Sequence, residues 1–549
     1  MKLITRFSKV AVVMIVAFLG VAAVSTTDHG KYFEISKNIE IFTNLYKEIN
    51  TYYVDDVDPA KLMRTGVDAM LESLDPYTNF ISESEIEGFR YITDGKYNGI
   101  GALIHKKGEY VTITEPYEGC PAQKAGLKAG DIIKSIDGKS AKGKTTDDIS
   151  NILKGFPGTE IEVMVERPGE SKELKLTMVR DEVVVPNVPH SGMLKNDVGY
   201  VALTTFTRNA GKNVADAVKK LKEENPNMKG VIFDLRGNGG GLLTEAVNVS
   251  NVFIPKGELV VTTKGKVIDW DRSFKTLNKP VDEELPLVVL INKGSASASE
   301  IVSGVIQDLD RGVLIGQRSY GKGLVQNTRD VGYNSKVKLT TAKYYIPSGR
   351  CIQGVSYEDG TPINIPDTDR TAFKTRNGRS VYDGGGVKAD VLLDKKEGQQ
   401  IISSLLQKHL IFDYVTEYCI GKPTIPAVKD FKFTEFENFV AFLEGKDYNY
   451  ETQTEQLLSE LVKQAEEDSY LDQIQTQIKL MEDKIQEEKK NDLYNNKMEI
   501  SNIIEKQIAS RYFFQKGKIE VGLKNDEEIK KAIDLLNTPT EYNKVLKNK

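Results

Sequence analysis

The sequence predicts a multidomain α/β protein: an N-terminal helical module, a β-rich domain, a mixed α/β core and a helical C-terminal region. Three observations carry this. The chain has 549 residues, room for roughly three or four domains of ordinary size. Hydrophobic residues make up 40% and charged residues 28%, a globular balance with enough apolar material for a sizeable core. The hydrophobic period also changes along the chain, from helical spacing to short β-rich runs, then to strands alternating with helices, then to a Lys/Glu/Gln-rich helical texture.

Composition narrows the chemistry. Lys and Arg number 74 against 79 Asp and Glu, a formal charge of -5, whereas phosphate binding needs a basic surplus, so nucleic acid is excluded as the main partner. Three cysteines (Cys120, Cys351 and Cys419) lie far apart with no CxxC pair, which argues against a disulfide framework or a zinc cluster. Only four histidines are present, none in an HExxH spacing. Hydrolytic chemistry would have to find its base elsewhere, and no metal or cofactor is expected.

The N-terminus carries Lys2, Arg6 and Lys9, then an apolar run over 10–24 and a small-residue exit at Ala22, Ala23 and Ser25. This is the layout of an export signal over 1–25. The run is shorter than the roughly 20 residues of a spanning helix, which favours cleavage; retained, the segment would tether the protein to a membrane. The rest of the chain is expected in the periplasm or on the outer face of the cytoplasmic membrane.

A helical module follows over 35–92. Ile39, Phe42, Leu45, Ile49 and Tyr53 recur at spacings of three and four, one helix face. Asp58-Pro59 reads as an N-cap with Pro at the first helical position, opening a second helix with Met63, Val67, Met70 and Leu74.

The β-domain is placed at 95–182, with β-rich runs at 110–114, 160–166 and 173–179. Between them lies Pro121-Ala-Gln-Lys-Ala-Gly-Leu-Lys-Ala-Gly-Asp-Ile-Ile-Lys-Ser-Ile-Asp-Gly138, preceded by the Gly99-Ile100-Gly101 turn. This string resembles the PDZ domain family. The resemblance implies a groove where a peptide adds as an extra strand, the backbone N–H groups of Gly99, Ile100, Gly101 and Ala102 receiving its terminal carboxylate.

The core is placed at 190–400, with strands at 199–206, 230–235, 259–263, 285–291, 313–315 and 337–345 and helices following Asn213, Leu242 and Ser299. Three of its segments can carry chemistry. Leu287-Val-Val-Leu-Ile-Asn-Lys-Gly-Ser-Ala-Ser-Ala-Ser-Glu300 runs from a strand through small residues into a helix start. Free N–H groups and the helix dipole favour negative charge there, which suits a nucleophile beside an oxyanion site, an anion-binding turn or a plain N-cap. A serine needs a base, and with histidine scarce the candidate is Lys322 in Arg318-Ser-Tyr-Gly-Lys-Gly-Leu-Val-Gln326. Burial must lower its ordinary pKa near 10.4 before the amine can accept a proton; a merely solvated lysine is the other reading. Val231-Ile-Phe-Asp-Leu-Arg-Gly-Asn-Gly-Gly-Gly241 is a strand and glycine turn that could offer N–H groups to a phosphate or an oxyanion, although its glycines fit neither nucleotide-loop pattern.

Taken together, these segments resemble the C-terminal processing peptidases, or tail-specific proteases, from residue 35 to about 395. The order of helical segment, PDZ domain, DLRxNxGG turn, SASASE turn and lysine turn is that of the family, as is the stretch Tyr345-Ile-Pro-Ser-Gly-Arg-Cys-Ile-Gln-Gly354. The resemblance implies a core with a crotonase-like fold, Ser297 as nucleophile and Lys322 as general base, 25 positions later as in the family. It further implies Gln326 supporting the lysine amine and oxyanion donors at Ala298 and Gly241, with Gly240 the near alternative. The substrates implied are proteins and peptides with free C-termini. The other reading is a non-catalytic PDZ scaffold of the cell envelope. Three departures stand out: Tyr320 replaces Phe in the lysine turn, Cys120 replaces a common Ser, and an insertion of about thirty residues around 355–383 displaces Ala389-Asp390.

Beyond 401, a helical domain extends to 549. Leu471, Ile474, Ile478, Met481 and Ile485 form a short heptad seam, which reads either as a hairpin or homodimer contact or as a surface helix packed on its own domain.

Overall fold

The computed structural model describes residues 30–358, 361–393 and 400–547; the export segment at 1–25 lies outside them. The described chain divides into two compact units, one ending at Phe80 and the other beginning at Ile81.

The first unit holds a helix across 30–52 and a second, Pro59–Glu72. Asp58 caps the second through its carboxylate, which accepts the Ala60 amide at 2.9 Å, and Pro59 opens the first turn. The apolar face expected on the first helix stays exposed at Ile35, Ile39, Phe42 and Leu45. The module read as 35–92 is divided between the units: helix Ile86–Asp94 falls in the second. There Gly95, left-handed at φ 69, turns the chain directly into strand Lys96–Gly99.

In the second unit the β-domain is an antiparallel sheet ordered Ala102–Lys107, Tyr110–Pro116, Ile132–Ile136, Glu160–Glu166, Leu174–Val179. Val111, Ile113, Ile133, Ile136, Val163 and the helix residue Ile149 form its core. Lys96–Gly99 pairs antiparallel with Asp181–Val184, closing the two ends of the domain.

The α/β core is built on a sheet ordered His190–Met193, Val198–Ala202, Gly230–Asp234, Leu287–Ile291, Val313–Gly316, Val391–Leu392. Its first pair is antiparallel and the rest are parallel. Every residue of Val198–Ala202, Gly230–Asp234, Leu287–Ile291 and Val313–Gly316 is buried, as a parallel sheet covered on both faces requires. One face is covered by helices Ala210–Glu224, Leu243–Phe253 and Ala298–Asp308. The other face receives Ile529, Ala532, Leu535, Leu536 and Tyr542 from helices Glu527–Leu536 and Pro539–Lys547. The end of the helical region is thus a layer of the core.

A second sheet joins Leu259–Gly265 and Arg272–Lys275 to the hairpin Leu324–Gly332 and Ser335–Tyr345. The strand Leu324–Gly332 has no counterpart among the sequence expectations. In the helical domain, the seam helix Leu471–Asn495 buries only Ile478 and Leu493. Helix Lys497–Leu523 is interrupted at Phe514, where φ is 52 and ψ -157.

Candidate active site

The site is assembled at the ends of three parallel strands. Strand Leu287–Ile291 leaves the sheet into the turn 292–296, and Ser297 stands at the N-cap of helix Ala298–Asp308 with φ 54 and ψ -113. A β-carbon residue with positive φ is strained, and such strain persists only where surrounding contacts enforce it. Those contacts are explicit. Ser295 Oγ donates to the Leu235 carbonyl at 2.8 Å, and Ser299 Oγ donates to the Asn238 carbonyl at 2.8 Å. The Ala296 amide donates to that same Asn238 carbonyl at 3.0 Å. Asn292 Oδ1 accepts the amides of Gly294 and Gly237. Of the three alternating serines, Ser295 and Ser299 are fully buried and spend their hydroxyls on the glycine turn, whereas Ser297 is half-buried.

The glycine turn lies against this serine. Gly240 has φ 102, and a β-carbon there would stand 2.8 Å from Ser297 Cβ and 2.8 Å from the Ala296 carbonyl oxygen. Only glycine fits so close an approach. The Gly240 amide is committed to Asn238 Oδ1 at 2.9 Å. The amides of Gly241 and Ala298 make no hydrogen bond among the described residues.

The lysine turn follows strand Val313–Gly316. Tyr320 donates its amide to the Ser295 carbonyl at 3.0 Å. Gly323 donates its amide to Gln353 Oε1 at 2.6 Å. Lys322 is half-buried. Gln326, on strand Leu324–Gly332, donates Nε2 to Thr340 Oγ1 at 3.1 Å across the hairpin.

Two residues without a role in the sequence reading tie these turns together. Glu300 is fully buried; its Oε1 accepts Ser319 Oγ at 2.5 Å and the Gly321 amide at 2.7 Å, and its Oε2 accepts the amides of Ser297 and Lys322. Burial pushes its carboxyl up to about 7, against the pull of these hydrogen bonds. Tyr344, 1% exposed, brings its hydroxyl within 2.6 Å of the Lys322 carbonyl and 3.1 Å of the Ser297 carbonyl. A sequence signal for Glu300 existed: it is the acidic N3 partner three residues after an N-cap serine.

In the β-domain, a cavity of about 210 Å³ is lined by Tyr91, Tyr97, Ile100, Ala102, Tyr117 and Lys154 among others. Ile100 and Gly101 turn their carbonyls inward to the amides of Ala122 and Tyr117. Gly101 has φ 78, and a β-carbon there would collide with Cys120 Cβ at 2.4 Å. Burial pushes the Tyr97 hydroxyl up, and the backbone at Ala102 and Gly101 opposes that push. Gly99 ends the strand that closes the domain.

The chain matches known families over three stretches. Residues 197–360 match the model described as peptidase family S41, 112–167 match the PDZ domain, and 401–536 match "Probable PDZ-protease, C-terminal helical domain". The "Carboxy-terminal-processing protease" of Bartonella bacilliformis is 37% identical over 359 residues, 65% of this chain and 82% of that protein. A "Probable CtpA-like serine protease" of Staphylococcus aureus is 33% identical over 364 residues, 65% of this chain and 70% of that protein. A solved photosystem II D1 C-terminal processing protease is 28% identical, covering 64% of this chain and 92% of its own with a TM-score of 0.36.

Proposed function

The chain belongs to the carboxy-terminal-processing serine proteases of peptidase family S41 with a PDZ domain, and from that premise we propose that it cleaves proteins near or from their C-termini with Ser297 as nucleophile and Lys322 as general base. The observation that carries this reading is the shared Glu300 carboxylate, which fixes the backbone of both residues.

Lys322 in its neutral form takes the proton of Ser297 as Oγ bonds to the scissile carbonyl carbon. The developing oxyanion is received by the amides of Ala298 and Gly241, the two left uncommitted; Gly240 serves instead by letting the turns approach. Collapse breaks the C–N bond, and the proton passes from the lysine ammonium to the leaving amine. Water then hydrolyses the acyl-enzyme with Lys322 again as base. With Nε2 of Gln326 committed to Thr340, its Oε1 is the atom that orients the lysine amine. The PDZ groove at Gly99, Ile100, Gly101 and Ala102 captures the substrate's terminal carboxylate.

Export through the segment at 1–25 would place this chemistry in the periplasm or on the outer face of the cytoplasmic membrane. No described helix is long and apolar enough to cross a membrane. Homodimerisation through the helical regions is supported by the exposed apolar face of the helix across 30–52.

The test is cleavage of an unstructured protein by the purified full chain. Ser297→Ala or Lys322→Ala should lower the rate at least about a thousandfold, and amidating the substrate's terminal carboxylate should slow the parent. Parent-like rates in either variant would reject the dyad. A serine-directed covalent probe separates peptidase from scaffold, because only an activated serine reacts.

A further inference from the structure

The glycine turn is sewn to the serine turn on one side, and its far end is tied to Phe206, whose amide donates to the Gly240 carbonyl at 2.9 Å and whose carbonyl accepts the Leu242 amide at 2.8 Å; at its start stands Arg236. This guanidinium faces two ways. Nε and Nη2 hold the carboxylate of Asp234 at 2.7 to 3.1 Å, and Asp234 also accepts Tyr200 Oη at 2.8 Å. Nη1 reaches out of the core to Asp526 Oδ2 at 2.7 Å and Glu528 Oε2 at 2.5 Å. All four charged side chains are under 20% exposed. Three carboxylates share one buried cation, so burial and the neighbouring Asp526 and Asp234 push the Glu528 carboxyl up while Arg236 pulls it down. A buried ionic group of this kind is weak evidence of added stability, and its better-attested use is to fix one arrangement.

We infer that Asp526 and Glu528, carried by the C-terminal helical domain, are positioning residues of the peptidase: they close the outer side of Arg236 and so hold the glycine turn, with its Gly241 amide, at Ser297. The inference rests on the proposed role of Gly241 and the Ser297/Lys322 dyad. Its geometry is favourable because an oxyanion donor acts only when held in place before the reaction.

Asp526 also caps helix Glu527–Leu536, its Oδ1 accepting the Glu528 amide at 2.9 Å and the Ile529 amide at 3.2 Å. Asparagine caps as well as aspartate, so Asp526→Asn removes the charge while keeping the helix start. The experiment uses the full chain carrying Asp526→Asn with Glu528→Gln, assayed on an unstructured protein with a free C-terminus. Losing one oxyanion donor outright costs about a hundredfold or more in kcat. Loosening the turn should therefore lower kcat about tenfold, with KM within about twofold and an unchanged melting temperature. Should the double variant fail to fold, Asp526→Asn alone should give a smaller fall of the same kind. Parent-like kcat, or a loss of kcat only in step with melting temperature, would overturn the inference while leaving the dyad standing. If the parent shows no Ser297-dependent cleavage, the reading beneath it falls as well.

Discussion

Glu300 Oε2 accepts the Lys322 amide at 2.9 Å, and the same oxygen accepts the Ser297 amide at 2.8 Å. Two turns that leave different strands are thereby referenced to one buried atom. With Oε1 holding Ser319 and Gly321, the carboxylate meets four donors and supplies only acceptors, which suits its chemistry. In Glu300→Gln one oxygen becomes an NH₂ group facing two donors. The expected outcome is a fall in kcat of roughly ten- to a hundredfold, with a stability loss of about 1–3 kcal/mol for unsatisfied buried groups. Steady-state kinetics and chemical denaturation of the full chain check it; kcat within twofold of the parent would show that the shared carboxylate does not set the dyad.

Tyr97 lines the cavity beside Ile100 and Ala102, where the PDZ resemblance puts the substrate's terminal carboxylate. An incoming carboxylate would compete with its hydroxyl there. Tyr97→Phe removes the competing oxygen and keeps the ring against Tyr91, 5.8 Å away between centroids. A hydrogen bond nets about 1 kcal/mol, so an apolar peptide with a free C-terminus should bind roughly fivefold tighter. Fluorescence anisotropy with free and amidated peptides tests this: the gain should be confined to the free acid, and weaker binding would place the carboxylate elsewhere.

The reach of the sequence follows from how local each signal is. The serine and glycine turns were legible because strand, small residues and helix start are contiguous, and the lysine turn because a strand leads into glycines flanking Lys322. Glu300 was not assigned, since three of its four donors come from residues 319–322. Strand Leu324–Gly332 escaped because its outer half, Asn327 to Gly332, is exposed and carries little apolar alternation. Its turn is Tyr333 and Asn334, both at positive φ, directly after Gly332 at φ 95. The heptad spacing at 471–485 falls on helix Leu471–Asn495, yet periodicity says that a face is apolar without saying what covers it. For the same reason the helices Glu527–Leu536 and Pro539–Lys547 gave no hint that they form one side of the core. Arg236 and Asp526 meet across 290 positions, a separation no motif spans.

The β-domain meets the helical domain through His105 and His409, whose rings stack with centroids 4.2 Å apart at 27°. Phe412 lies edge-on to His105 at 4.9 Å, and Thr114 Oγ1 is 2.9 Å from its Nδ1. Lys107, Asp413 and Arg511 are the charged groups facing it, Lys107 and Asp413 being paired at 2.6 Å. Burial first, then the neighbouring His409, pulls His105 down to about 4, with Asp413 opposing. In the unfolded chain it titrates near 6.5. Between these values the unfolded state binds the proton that the folded state refuses, so stability rises with pH across that window. It is fully present above about 6.5 and is lost as pH falls toward 4. Replacing the ring in His105→Gln removes this titration, so the gap in melting temperature between parent and variant should favour the parent more at pH 7.5 than at pH 4.5. Parallel melting curves across that range would mean that the buried histidine does not couple the two domains to pH.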